Sequence, residues 1–471
     1  MPTRKRTKLP GKLVFVGFGS VGQGVMPLLL KHLRVTPADI MIVTADERGL
    51  EEAQRYGVKF VVNPLTRGNY RAVLEPVLKT GDFLLNVSVD VSSVALIELC
   101  QERGAFYLDT CIEPWAGGYI DTRLSPSQRS NYALREAALA VNKKYRNGPT
   151  AILTHGANPG LVSHFVKRAL LDIARDTGVK VAQPATREKW ALLAEKLGVK
   201  VIHIAERDTQ SAVPTKRVGE FVNTWSVDGF VGEGCQPAEL GWGSHEKHFP
   251  GDGRRHEFGS GCAIYLQRPG ASMRVRSWTP REGPYHGFMI THGESISIAD
   301  YFTVYNGDQV RYRPTVHYAY HPCDGAVTSV HELAGKNWKL QDKRRVLMDE
   351  IEEGVDELGV LLMGHAKAAY WYGSVLGVDE ARKLAPYNNA TSLQVSCGIL
   401  GAIVWAVENP KCGVIDPDEM DFERVIEIAR PYLGKLVGKY SSWTPLSERG
   451  VLFPEDVDAS DPWQFKNFRV V

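Results

Sequence analysis

An α/β fold, with a doubly wound parallel sheet at the N-terminus and a second α+β domain behind it, is predicted by three features of the sequence. Short β-branched runs alternate with amphipathic stretches up to about residue 155. A glycine-rich turn joins the first run to the first helical stretch. After Gly156 the rhythm breaks into a long helix followed by irregular, aromatic β patterns.

Taken in order, the runs place strands at Lys12–Gly17, Asp39–Thr44, Lys59–Val62, Phe83–Asn86, Ala105–Asp109 and Ala151–Thr154. Helices fall near 21–33, 48–57, 67–79, 92–103 and 126–144. Residues 1–157 therefore form a Rossmann-type domain, completed by a returning segment at 389–440. Residues 158–388 form the α+β domain, opening on a helix over 159–177. The stretch 343–385 reads as helical, with Leu358, Leu361 and Leu362 facing a core. Thr391 is placed as the N-cap of a buried helix reaching Glu408, and 441–471 is a C-terminal strap.

Composition narrows the function. Fifty-six Lys and Arg oppose 54 Asp and Glu, a net charge of +2 that offers no field for collecting nucleic acid or anionic lipid. The basic start, Arg4, Lys5, Arg6 and Lys8, reads as a solvated arm. The longest apolar run, Val395 to Val407, falls short of the ~20 residues that span a bilayer. Seven scattered cysteines lack a C-x-x-C pair and fit reduced thiols in a cytoplasm. His317-x-x-x-His321 and His245-x-x-His248 lack a third ligand, so no metal is expected.

Gly17-Phe18-Gly19-Ser20-Val21-Gly22 follows a strand and opens a helix, the context that a dinucleotide fingerprint requires. Its glycines give a tight turn, close backbone approach to a pyrophosphate, and strand–helix packing. At the end of the second strand Asp46 would repel a 2′-phosphate and favours NAD, whereas Thr44 with Arg48 would accept one; NAD is the expected cofactor. Ser88 and Asp90, after the fourth strand, should face the nicotinamide.

Glu113, Asn158, Glu206, Trp225, Glu233, His292, Glu294 and Asp356 form a second group. Singly, each is explained by surface or core placement. Together they are unusual, because several carboxylates sit in Gly-rich or apolar settings such as Val231-Gly232-Glu233-Gly234 and Thr291-His292-Gly293-Glu294.

Six blocks carry a resemblance: Gly17 to Gly22, Ile112-Glu113-Pro114-Trp115, Gly156-Ala157-Asn158-Pro159-Gly160, Ile204 to Gln210, Asn223-Thr224-Trp225-Ser226-Val227, and Glu294 to Asp300. They resemble the bacterial homospermidine synthases, a family of the saccharopine-dehydrogenase-like group. Phe453-Pro454-Glu455-Asp456 and Asp461-Pro462-Trp463-Gln464-Phe465 extend the likeness to the tail. The resemblance implies a homodimer formed through the second domain, tightly held NAD, and condensation of two putrescines with loss of ammonia and no net redox. It places Glu113, Glu206, Trp225, Glu233, His292 and Glu294 around the diamine, Asn158 near the nicotinamide, and Asp356 as a further diamine contact; Asp90 is a candidate diamine contact from its place in the loop after the fourth strand. Gly293 stands where the family would have Asn, and Thr44 where it would have Asp.

Amine chemistry adds a constraint. An aliphatic amine ionises near pH 10.4, yet a hydride leaves carbon only beside a neutral nitrogen, so one amine must lose its proton while the other stays charged. Glu233 and Glu206 are assigned to ammonium binding, Trp225 to a cation–π contact, and His292, as neutral imidazole, with Glu294 to proton relay. Two other functions are open: a saccharopine- or carboxyspermidine-type NAD(P) reductase, which needs a cation such as Arg207 for a carboxylate, and an NAD-binding sensor without turnover.

Overall fold

The computed structural model describes residues 6–470, so Arg4 and Lys5 of the basic arm lie outside the described residues. A seven-stranded parallel sheet forms the first domain, in the order Val414–Ile415, Ala151–Ile152, Phe106–Asp109, Phe83–Asn86, Leu13–Val16, Ile40–Thr44, Lys59–Val62. Helices cover both faces, which is why the central strands read as unbroken apolar runs. Chain order reverses between Leu13–Val16 and Phe83–Asn86, opening a crevice beyond their carboxyl ends. The third expected helix shrinks to Tyr70–Leu74, and the fifth to Asn131–Ala140 followed by a 3-10 turn.

Helix Ala390–Glu408 packs against helices Ser20–His32 and Phe422–Ala429. Its cap is Asn389, in a reciprocal box with Ser392, and not Thr391, whose hydroxyl turns instead to Asp356. At 19 residues it is longer than the apolar run implied. It is the one helix among the described residues long and apolar enough to cross a membrane, and its apolar window is 89% buried inside the fold.

The second domain is built on an eleven-stranded mixed sheet. Its strand Val201–Asp208 pairs parallel with Thr315–His321 and antiparallel with Val355–His365. Alternation along these strands sorts the side chains. Glu206, Asp208, Tyr318, Tyr320 and Asp356 share one face. His203, His317 and Leu361 share the other, where Trp443, Trp463 and Phe468 of the C-terminal segment cover them.

The expected helix over 343–385 is not formed. Strands Lys343–Val346, Ile351–Glu353, Val355–His365 and Ala368–Gly377 occupy it, and only Val378–Leu384 is helical. Leu358, Val360 and Leu362 pack into the core on one face, while Leu361 and Met363 pack on the other. A strand buried on both faces loses its alternation and gives the same apolar run as a buried helix. Lys435–Ser441, assigned from sequence to the returning segment, extends the second sheet beside Ala368–Gly377.

Candidate active site

The glycine turn sits at the crevice. Gly17 has φ +86°, and a Cβ there would stand 2.8 Å from the Val87 carbonyl oxygen. A Cβ on Gly22 would touch the Phe18 ring at 3.0 Å, whereas one on Gly19 would meet nothing within 4 Å. Gly19 is the cap of helix Ser20–His32 and brings no side chain to its first N–H groups. An open helix N-terminus beside a side-chain-free turn fits a diphosphate.

This turn borders a cleft of about 580 Å³ whose walls include Gly17, Gly19, Thr44, Asp46, Ser88 and Asp90. Ser20 and Gly22 do not line it, and Val21 reaches the chamber beyond. Arg48 grips Asp46 through Nε at 2.9 and 3.0 Å and Nη2 at 2.8 Å. The guanidinium holds the Asp46 carboxyl below the usual carboxylate range, so the two side chains largely cancel each other's charge.

Through shared walls at Val87, Ser88, Val89, Glu113 and Ser226 the cleft opens into a chamber of about 90 Å³. Glu113, Asn158, Glu206, Trp225, Glu233, His292 and Tyr318 line it, with no Lys or Arg among them. Its carboxylates form two poles. At one, Glu206 accepts from Asn158 Nδ2 at 2.5 Å and from the Tyr318 hydroxyl, and Asn158 Nδ2 also reaches that hydroxyl at 2.7 Å. At the other, Glu233 accepts from Cys111 Sγ at 3.3 Å, and Glu113 stands near enough for the two carboxylates to repel. His292 lies between, 2.9 Å from Glu233 Oε2 and with its ring 4.3 Å from that of Tyr318.

Burial, then the Glu233 charge, pushes Glu113 up to about 8. Burial raises Glu206 to about 7 against the Tyr318 and Asn158 hydrogen bonds. For His292 burial works against the charged ring, but Glu294 and Glu233 outweigh it and raise the imidazole to about 10. This setting favours the imidazolium over the neutral proton acceptor expected from the sequence. A carboxylate at each ring nitrogen is the reason.

Glu294 does not line the chamber; it backs His292, 3.1 Å from Nδ1. Glu239, wholly buried, accepts from the backbone N–H groups of Asn131 and Tyr132 and from Thr291 Oγ1, tying the residue before His292 to the start of a first-domain helix. Asp90 borders the cofactor cleft but not the chamber. Asp356 is placed outside the chamber as well, fully buried behind Thr391. Asn158, expected beside the cofactor, lies in the chamber wall. Trp225 donates Nε1–H to Tyr320 at 3.1 Å. Cys111, one of the seven scattered cysteines, is a donor in the chamber wall. Tyr318, in Thr-Val-His-Tyr-Ala-Tyr-His, reads in the sequence as an ordinary strand aromatic.

Comparisons with known proteins agree along the whole chain. Residues 13–152 match the family model "Saccharopine dehydrogenase NADP binding domain", and residues 156–441 match "Saccharopine dehydrogenase C-terminal domain". A homospermidine synthase of Blastochloris viridis is 52% identical over 467 residues, 98% of each chain. One from Mesorhizobium japonicum is 49% identical, covering 98% of this chain and 97% of its own. The crystal structure of the Legionella pneumophila homospermidine synthase in complex with NAD superposes with a TM-score of 0.93 at 50% identity, covering 99% of both chains. The chain belongs to the homospermidine synthase family, built on the two domains of the saccharopine dehydrogenases.

Proposed function

We propose that the protein condenses two putrescines into homospermidine, releasing one ammonia, with no net oxidation. The observation that carries this is the chamber beside the open glycine turn, lined by three carboxylates and Trp225 and, among the described residues, free of Lys or Arg. A reductase for a carbonyl acid needs a cation there. Arg207, the candidate for that part, points to Asp208 and Asp324 and does not line the chamber.

NAD, when bound in the adjoining cleft, supplies the hydride acceptor and donor that take the amine-bearing carbon to the imine level and back. The Legionella relative, solved with NAD, supports NAD as the cofactor. The chain's residues manage charge and protons. Glu206, poised near neutrality and fixed by Asn158 and Tyr318, takes the proton from the reacting amine. Glu113 and Glu233 hold the distal ammonium, with the Trp225 face offering a cation–π contact. His292, charged and braced by Glu294, keeps Glu233 in place and screens the two poles from each other. The neutral amine of the second putrescine adds to the imine carbon, and a proton delivered by Glu206 to the first nitrogen lets ammonia leave the adduct, so that the new carbon–nitrogen double bond forms as the old bond breaks.

A cytoplasmic homodimer completes the proposal. Seven free cysteines suit a reducing compartment, and Val451, Leu452 and Phe453, strongly exposed in one chain, offer apolar surface for a partner. Sedimentation showing only monomer at micromolar concentration would remove the dimer.

The deciding experiment incubates purified protein with putrescine and NAD, following homospermidine and ammonia by mass spectrometry and absorbance at the NADH band. Product without lasting NADH is expected. Steady NADH without homospermidine would mean a simple amine dehydrogenase, and silence in both channels a sensor or a reductase.

A further inference from the structure

Helix Val227–Cys235 serves both cavities. Trp225 precedes it and Glu233 lies on it, both facing the chamber, while Asp228 in its first turn faces the cofactor cleft. Arg344 reaches Asp228 from strand Lys343–Val346, which pairs in parallel with Glu220–Asn223 of the second domain. Its Nη1 donates to Asp228 Oδ1 at 2.5 Å.

The charges of the cleft make Arg344 unusual. Asp46, Asp90, Glu113 and Asp228 line it, against two cations, Arg48 and Arg344. Arg48 is committed to Asp46 through both Nε and Nη2. Arg344 is half-exposed and makes a single contact to one carboxylate oxygen, and among the described residues its Nε and Nη2 donate to no protein group. A dinucleotide entering this acidic cleft brings two further negative charges, and a planar guanidinium fork with donors to spare is the group that binds them best.

We propose that Arg344 is a cofactor-binding residue contributed by the second domain: its guanidinium binds the diphosphate of the dinucleotide, in competition with Asp228. This rests on the dinucleotide occupying the cleft. It predicts effects of opposite sign for the two members of one ion pair, which a purely structural pair does not give. Arg344→Gln weakens binding, whereas Asp228→Asn frees the arginine, removes a repelling charge and tightens it.

The test is calorimetric titration of charcoal-stripped full-length protein with NAD, ADP-ribose and adenosine, together with mass-spectrometric measurement of NAD retained through gel filtration. Arg344→Gln is expected to weaken NAD and ADP-ribose by about tenfold or more and to leave adenosine unchanged. Asp228→Asn is expected to tighten NAD by up to about fivefold. Equal weakening by both variants, or an adenosine loss matching that of NAD, would show that the pair only braces the helix and would overturn the proposal. So would unchanged NAD affinity in Arg344→Gln. Wild-type protein that binds neither NAD nor ADP-ribose would instead remove the dinucleotide from the cleft, and the proposed function with it.

Discussion

His292 Nε2 stands 2.9 Å from Glu233 Oε2, while the opposite ring nitrogen is 3.1 Å from Glu294. With a carboxylate at each nitrogen, both must carry protons to donate. Nitrogen-15 spectra of the imidazole are expected to show both nitrogens protonated at pH 8; a neutral tautomer there would defeat the assignment. Stability follows with a definite sign. The folded value of about 10 lies above the ordinary 6.5, so the stabilisation is fully present below about pH 6.5 and is lost as pH rises through 10. Thermal melts of the wild type should carry that contribution to the slope, and His292→Gln should lack it.

Glu113, raised to about 8, is mostly protonated at pH 7, and Glu206, raised to about 7, is about half protonated. An ammonium arriving beside them favours their charged forms. Binding of putrescine at pH 7 is therefore expected to release protons, measured by calorimetry in buffers of different ionisation enthalpy. The part due to Glu113 should shrink toward pH 9 and vanish in Glu113→Gln. Equal enthalpies in all buffers at pH 7 would contradict the raised carboxyls.

What was legible in the sequence was local. Gly17 to Gly22 announces itself because turn, helix start and close packing act within six residues, and the parallel strands announce themselves by being buried on both faces. What was not legible depends on register. Tyr318 joins Glu206 only because Thr315–His321 pairs in parallel with Val201–Asp208, placing Tyr320 opposite Glu206 and Tyr318 two residues before it on the same face. Asp356 leaves the chamber for the same kind of reason: its partner across the sheet is Asp208, not Glu206. No spacing within one segment encodes a pairing between segments more than 100 residues apart.

Trp225 combines a face toward the chamber with an Nε1–H bonded to Tyr320, whose ring stacks on Tyr318 at 5.0 Å. Replacing it tests the cation–π contact, worth roughly 0.5–2 kcal/mol. Trp225→Phe is expected to retain partial turnover with a raised KM for putrescine, and Trp225→Leu to lose most of it. Tyr320→Phe, which removes only the acceptor of the indole N–H, separates ring orientation from ring identity and should cost less than either. Equal loss in Phe and Leu variants would assign Trp225 to packing.

Asp356 provides the sharpest separation of burial from catalysis. Its carboxyl is fully buried, takes a 2.6 Å hydrogen bond from Thr391 Oγ1, and faces Asp208 across the sheet. Burial, reinforced by the charges of Glu206 and Asp208, holds its pKa well above 3.8, so the neutral acid is the form the fold accommodates. An amide has nearly the shape of that neutral acid. Asp356→Asn is therefore expected to fold, to keep kcat within about twofold, and to match the wild-type Tm near pH 4 and below, where the carboxyl becomes neutral in both states, within about 2 °C. Because a raised carboxyl costs stability increasingly as pH climbs from the unfolded value toward the folded one, the Asn variant should become the more stable protein near pH 9. Asp356→Ala, which strands the Thr391 hydroxyl in the core, should instead be less stable at every pH by about 1–3 kcal/mol. Turnover abolished in the Asn variant with Tm intact would place Asp356 in contact with the diamine after all.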